Sequence, residues 1–112
     1  MQVKQLQMVA TFELEKEQKL AADYQYVQQH LLLQHDKLKG LEQHRLDYLQ
    51  QIQQRASGGI GSLSYGQHQG FIDKLDKACD IQRQEIEKLS AVAEQRKGLW
   101  LKQQQKRKAV EM

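Results

Sequence analysis

The chain lacks proline altogether and has little cysteine or aromatic character. Its 112 residues contain no proline, one cysteine and 6% aromatic residues, and the mean hydropathy is −0.79. So polar a chain cannot bury a large globular core, but it suits long helices of which only one stripe is buried. The single cysteine, Cys79, excludes an internal disulfide. The absence of proline and the polar composition favour an all-helical protein.

Long apolar runs are missing as well. No stretch approaches the roughly 18 consecutive apolar residues of a membrane span. The first residues, 1–5, lack the apolar core that is typical of a signal peptide. We therefore expect a soluble cytoplasmic protein with no direct membrane insertion.

Glycine is concentrated near the middle of the chain. Five of the seven glycines fall between positions 58 and 70, and such a cluster marks a turn because glycine tolerates positive φ. The sequence predicts a single coiled-coil domain over 1–112, with a helix over 2–56, a glycine-rich tip over 57–62 and a helix over 63–112. The predicted fold is all-α, a long antiparallel two-helix coiled-coil hairpin.

The first arm carries a heptad pattern, which is the signature of a coiled coil. In one register, 11 of 15 a and d positions are apolar or aromatic. The four exceptions are Glu13, Glu17, Gln34 and Arg45. Near Arg45 an alternative seam is possible, made of Leu38, Leu46, Leu49 and Ile52.

The second arm has a matching stripe with alternating spacings of three and four. It comprises Ile72, Leu75, Cys79, Gln82, Ile86, Leu89, Ala93, Arg96, Trp100, Gln103, Arg107 and Val110. In an antiparallel hairpin the positions of facing residues have a constant sum, and a sum near 124 pairs Tyr24 with Trp100 and Leu31 with Ala93. In that register we expect the residues from Met1 to Thr11 to have no partner.

Patterns that would carry catalysis or hold a metal are lacking. The glycine patch has no Gly-Lys-Ser/Thr ending and follows no predicted strand, so it does not indicate a nucleotide site. The histidines (His30, His35, His44 and His68) lack the spacing of metal ligands, and no Cys-x-x-Cys occurs. We predict a non-enzymatic protein with no catalytic residues, no cofactor and no metal.

Positive charge is concentrated at the end of the second arm. Residues 1–101 hold equal numbers of cations and anions, so the net charge of +3 comes from residues 102–112. The four cations there are Lys102, Lys106, Arg107 and Lys108. A basic end can meet nucleic acid, an anionic membrane or an acidic protein surface, or it can be a solvated helix end.

Three segments together resemble the FliJ family of the bacterial flagellar type III export apparatus. They are His44–Gln51 before the turn, Phe71–Ala78 after it, and the end from Trp100 to Glu111. The resemblance covers most of the chain and rests on the order and spacing of these segments.

The resemblance implies a stalk and adaptor protein of flagellar biogenesis and motility, similar to the stalk subunit of rotary ATPases. It implies three partners: the export ATPase hexamer, the cytosolic domain of the large export-gate membrane protein, and export chaperones. It implies a location at the cytoplasmic face of the inner membrane. We expect no nucleic-acid partner, because residues 1–101 are charge-neutral and lack a basic face interleaved with aromatics. The gate surface implied by the family comprises Leu41, His44, Tyr48, Phe71, Leu75 and Ala78. The end that meets the ATPase ring would include the basic residues Lys102, Lys106, Arg107 and Lys108.

Two alternatives remain open at this stage. One is the equivalent stalk of a virulence secretion system, and the other is a basic coiled coil that binds nucleic acid. The extra apolar residues near the tip are also open to two interpretations, since they either bind a partner or only widen the seam.

Overall fold

The computed structural model describes residues 2–57 and 63–111, and these form two helices. Helix α1 spans Val3–Ser57 and helix α2 spans Leu63–Glu111. No strand occurs among the described residues. The predicted glycine tip lies outside the described residues from position 58 to 62, as do Met1 and Met112. The prediction of a single domain stays a prediction.

The two helices associate in two compact units, each made from part of both helices. The first contains residues 1–31 and 88–112, and the second contains residues 32–87. In each unit the helices run antiparallel. In the first unit, Tyr24 contacts Trp100, and the earlier residue Glu17 contacts the later residue Arg107. In the second unit, Gln34 contacts Gln82, and the later residue Tyr48 contacts the earlier residue His68. The all-α antiparallel coiled-coil hairpin predicted from the sequence is confirmed.

The heptad register predicted for the first arm is the one that α1 uses. Every predicted a and d position from Ala10 to Ile52 is buried or half-buried, and the residues between them are mostly exposed. The same is true of the predicted stripe on α2 from Ile72 to Val110. The apolar side chains with least exposure all lie on α2: Ile72, Leu75, Cys79, Ile86 and Ala93.

The alternative seam near Arg45 does not form. Leu46, which that seam required, is 49% exposed, whereas Arg45 stays half-buried in the heptad register. Arg45 remains there because its Nε donates to Asp76 Oδ1 on α2 at 2.5 Å. An ionic partner in reach thus makes an arginine acceptable at a seam position.

The pairing of the two helices agrees in part with the predicted register. Tyr24 and Trp100, whose pairing the sequence predicts, stack with ring centroids 5.7 Å apart and planes 21° apart. Other cross-helix contacts have position sums between 115 for His44–Phe71 and 125 for Glu42–Arg83. The predicted value of 124 is therefore near the upper end of the observed range, because long side chains reach diagonally across the seam.

Two glycines inside the helices give a direct test of helix energetics. A Cβ added at Gly40 or Gly98 would meet no atom within 4 Å, and glycine in a helix interior costs about 1 kcal/mol relative to alanine. We predict that Gly40→Ala and Gly98→Ala each raise the free energy of unfolding in urea by about 1 kcal/mol. A loss of stability in either variant would show that the backbone there departs from regular helix.

Candidate interaction site

Polar residues in the seam form specific pairs across the two helices. In the first unit, Gln103 Nε2 donates to Glu13 Oε2 at 2.5 Å and to the Glu13 backbone oxygen at 3.0 Å. Arg107 donates to Glu17 and also, at 2.9 Å, to Glu111 on its own helix. Glu13, Glu17 and Gln103 are buried. These side chains are thus removed from water only where each meets a partner.

The second unit has polar pairs of the same kind. Gln82 is buried and its Nε2 donates to Gln34 Oε1 at 2.8 Å and to the Gln34 backbone oxygen at 2.9 Å. Arg45 pairs with Asp76, as described above. Among the described residues, no buried side-chain nitrogen or oxygen is left without a hydrogen-bond partner. The four polar exceptions in the heptad pattern of α1 therefore all have a hydrogen-bond partner on α2.

These pairs shift the pKa of two groups. The hydrogen bond from Gln103 lowers the pKa of Glu13, and the nearby charges of Lys106 and Lys16 act in the same direction against the effect of desolvation. The hydrogen bonds to Glu17 and Glu111 raise the pKa of Arg107. Both shifts favour the charged forms that hold the helices together.

The lowered pKa of Glu13 predicts that the first unit loses stability in acid. A carboxylate whose pKa is lowered on folding contributes stability above its unfolded pKa, about 4.3, and that stability is lost as the pH falls through the folded pKa. We expect Glu13→Gln to be less stable than the wild type in urea at pH 7. The difference should shrink as the pH falls below about 4.

The control for this experiment is Glu15→Gln, because Glu15 lies on the exposed side of α1 two residues away. It should change stability little at either pH. A wild type and a Glu13→Gln variant that keep the same stability difference from pH 7 to pH 3 would contradict the assignment.

An aromatic cluster in the second unit contains several predicted gate residues. The ring centroids of Tyr48 and Phe71 are 4.6 Å apart, and His44 meets Phe71 edge-on at 6.0 Å. The Tyr48 hydroxyl and His68 Nδ1 share a hydrogen bond. We call His44, Tyr48, His68 and Phe71 the aromatic cluster. Its members come from both helices, so it forms only when the helices pair.

The six predicted gate residues differ in how much surface they offer. Phe71 is 37% exposed, and His44 is also exposed. Leu41 and Tyr48 are half-buried seam residues, and Ala78, which lies beside the seam, is half-buried as well. Leu75 is only 8% exposed and belongs to the core. The structure thus brings together His44, Tyr48 and Phe71, and leaves Leu75 little surface for a partner.

Sequence analysis missed His68 as a member of this cluster. His68 precedes Phe71 by three positions and Ile72 by four, so it lies on the side of α2 that faces α1. That spacing was the available signal.

The predicted basic end is only partly a cationic surface. Lys102, Lys106 and Lys108 are exposed, whereas Arg107 is half-buried. Arg107 is paired with Glu17 and Glu111, and Lys106 Nζ lies 3.8 Å from Glu13. Two of the four cations thus help to pair the helices.

Sites for other chemistry are sparse in the part of the chain that the structure describes. That part contains no group of three or more histidine, cysteine, aspartate or glutamate side chains that could hold a metal ion. It also contains no helix with the length and apolar character needed to span a membrane. The prominent features are the paired seam and the apolar side chains outside it.

A coiled-coil hairpin with apolar surface outside its seam is typical of proteins that bind other proteins. The model of one such family, described as the flagellar FliJ protein, matches residues 1–112. The chain therefore belongs to the FliJ family. Proteins of this family are non-enzymatic components of the flagellar protein export apparatus. No curated protein and no solved structure matches the chain.

Proposed function

We propose that this protein is a stalk and adaptor of flagellar export that joins the export ATPase ring to the export gate and escorts export chaperones. It would act in the cytoplasm, at the cytoplasmic face of the inner membrane, without inserting into the bilayer. Family membership supports the general role, and the two units offer one candidate surface for each of the two large partners.

The proposed contact with the gate protein is based on the exposed face of Phe71. A large aromatic side chain that keeps 37% of its surface in water while resting on Tyr48 is held in one position. Rigid aromatic side chains that a partner can cover completely supply much of the binding energy in protein interfaces. We therefore place the contact with the cytosolic domain of the gate protein at Phe71 and His44, with Tyr48 and His68 supporting them.

The contact with the ATPase ring is proposed for the first unit. Its basic residues Lys102 and Lys108 are exposed, which suits long-range attraction to an acidic surface. Arg107 would act indirectly, because its charge is already engaged by Glu17 and Glu111. Chaperone escort rests on the family alone.

Phe71→Ala tests the gate contact. We expect it to weaken binding of the purified cytosolic domain of the gate protein by about 30-fold, equivalent to about 2 kcal/mol, as measured by isothermal titration calorimetry. Helicity should change little and the melting temperature should fall only modestly, because Phe71→Ala removes the ring contacts with Tyr48 and His44 but leaves the buried core intact. Substitution of Tyr48 would be less informative, since it also removes the hydrogen bond to His68.

The matched control is Leu46→Ala, which removes a large apolar side chain that is 49% exposed in the same unit. Leu46 lies outside the aromatic cluster, so its loss should leave gate binding unchanged. Equal affinities for Phe71→Ala and the wild type would refute this surface. A marked fall in the melting temperature of Phe71→Ala would place Phe71 in the seam instead.

A further inference from the structure

The side of α1 that faces away from α2 exposes three leucines in the second unit. Leu32 and Leu33 are each 63% exposed and Leu46 is 49% exposed. From the first of these leucines, the exposed positions on this side recur at alternate spacings of four and three, as in a heptad stripe. Such a stripe suits a second helix that crosses α1 at a shallow angle. We call these residues the outer face: Leu32, Leu33, Asp36, Lys39, Gly40, Gln43, Leu46 and Asp47.

Gly40 lies in the middle of the outer face. A Cβ added there would meet no atom within 4 Å, so packing inside the chain does not require glycine at this position. Glycine is also a poor helix former. Together with its neighbours on α1, Gly40 lines an open depression of about 530 Å³. The backbone of α1 is therefore accessible here, and a helix without a side chain at such a point allows another helix to approach closely.

The outer face matches itself when it is turned end to end. In two antiparallel helices related by a two-fold axis, residue i contacts residue j and residue j contacts residue i, so facing positions have a constant sum. With a sum of 79, Leu33 faces Leu46 and Lys39 faces Gly40. Leucine thus meets leucine at both ends of the contact, and a long side chain lies over the residue that has none.

We infer that the outer face binds the outer face of a second copy of this chain, with the two α1 helices antiparallel and the two-fold axis between Lys39 and Gly40. The methylene groups of Lys39 in each copy lie on Gly40 of the other copy, since lysine can bury its stem while its charge stays in water. The inference does not rest on the proposed function.

The charges of the outer face also match across the two-fold axis. Asp36 and Lys39 are exposed, and neither forms an ion pair within the part of the chain that the structure describes. Lys39 faces Gly40 of the other copy, and Asp36 lies one turn of helix from Gly40, on the same side. The ammonium group of each Lys39 can therefore reach the carboxylate of Asp36 in the other copy. Symmetry produces this ion pair twice.

The contact is small. The outer face has eight residues, whereas stable interfaces use roughly 20–30 residues a side. At its margin Leu32 faces Asp47, whose Oδ1 already accepts a hydrogen bond from Gln43 Nε2 at 2.8 Å. We therefore expect a weak dimer that depends on concentration. The contact uses α1 alone and leaves Phe71 on α2 uncovered, so it is compatible with the proposed gate contact.

Two other occupants fit the outer face less well. An anionic membrane attracts helices whose polar face is rich in lysine and arginine, whereas the outer face contains two aspartates and one lysine. A helix of an unrelated protein would account for the exposed leucines, but it gives no reason for the match between Lys39 and Gly40.

The test is sedimentation equilibrium of the full chain from about 1 μM to about 1 mM, in reducing buffer at about 0.15 M salt. The wild type should change from monomer to dimer within this range. Gly40→Gln places a long side chain at the point of closest approach and should weaken dimerisation at least about tenfold.

The matched control is Gly98→Gln. A Cβ at Gly98 also meets no atom within 4 Å, and Gly98 lies on α2 in the other unit. This variant should change the dissociation constant of the dimer less than about twofold.

A charge-swap cycle tests the alignment of the two copies. Asp36→Lys and Lys39→Asp each bring like charges together at two symmetric places, so each should weaken dimerisation about fivefold or more. Combining the two substitutions restores opposite charges across the axis. The combined variant should therefore return to within about twofold of the wild-type dissociation constant.

Each result decides between defined outcomes. A wild type that stays monomeric up to about 1 mM would overturn the inference, as would a dimer that Gly40→Gln leaves intact or whose loss the charge swap does not reverse. A monomeric wild type that binds phosphatidylserine vesicles or the gate domain, with that binding lost in Gly40→Gln, would overturn it in favour of a membrane or a different protein.

Circular dichroism separates loss of association from loss of folding. Glutamine forms helix better than glycine, so both glutamine variants should melt at or above the wild-type temperature at about 1 μM, where the chain is monomeric. If Gly40→Gln melts lower, Leu33→Gln serves as the second variant, because Leu33 is 63% exposed. It should weaken dimerisation about tenfold, and an unchanged dissociation constant would overturn the inference.

Discussion

The structure depends on pairing the polar side chains that lie in its seam. A seam of leucine and isoleucine alone tolerates shifts of one helix along the other, because one apolar contact is much like the next. A buried carboxylate, amide or guanidinium group is acceptable only where a partner lies within hydrogen-bond reach. Glu13, Glu17, Gln34 and Arg45 each find such a partner on α2. Each unit thus contains two pairs that select a single alignment of its helices.

This alignment determines which apolar side chains remain outside the seam. In the second unit it places Tyr48 beneath Phe71 and leaves the phenylalanine partly exposed. In the first unit it covers the a and d positions of α1 from Ala10 onwards. The surfaces proposed for partners are therefore consequences of the register. A slip of the helices would rearrange the aromatic cluster before it altered helicity.

The sequence predicted the fold well because the heptad pattern depends only on spacing. The a and d positions of both helices and the Tyr24–Trp100 contact follow from that pattern. Three of the four polar exceptions in α1 pair with polar residues of the α2 stripe, namely Gln82, Gln103 and Arg107. Which of these polar residues pair with each other can be predicted only when the register is known to within one turn of helix.

The candidate site was harder to predict, because spacing does not show how far each seam side chain is covered. Leu75 and Phe71 are only four residues apart, yet one is core and the other is partly exposed. The alternative seam through Leu46 was wrong because it ignored Asp76 as a partner for Arg45. The place of His68 in the aromatic cluster could not be predicted, because it depends on contact with Tyr48, twenty residues earlier in the chain.

A double-mutant cycle on Gln34 and Gln82 tests most directly whether the two helices are coupled through the polar pairs of their seam. We expect Gln34→Leu and Gln82→Leu each to lower the free energy of unfolding by about 1–3 kcal/mol, because the first removes one of the two acceptors of Gln82 Nε2 and the second removes the donor to Gln34 Oε1. The double variant should be at least as stable as either single variant, since both polar groups are then removed together. Strictly additive losses in the double variant would contradict the account.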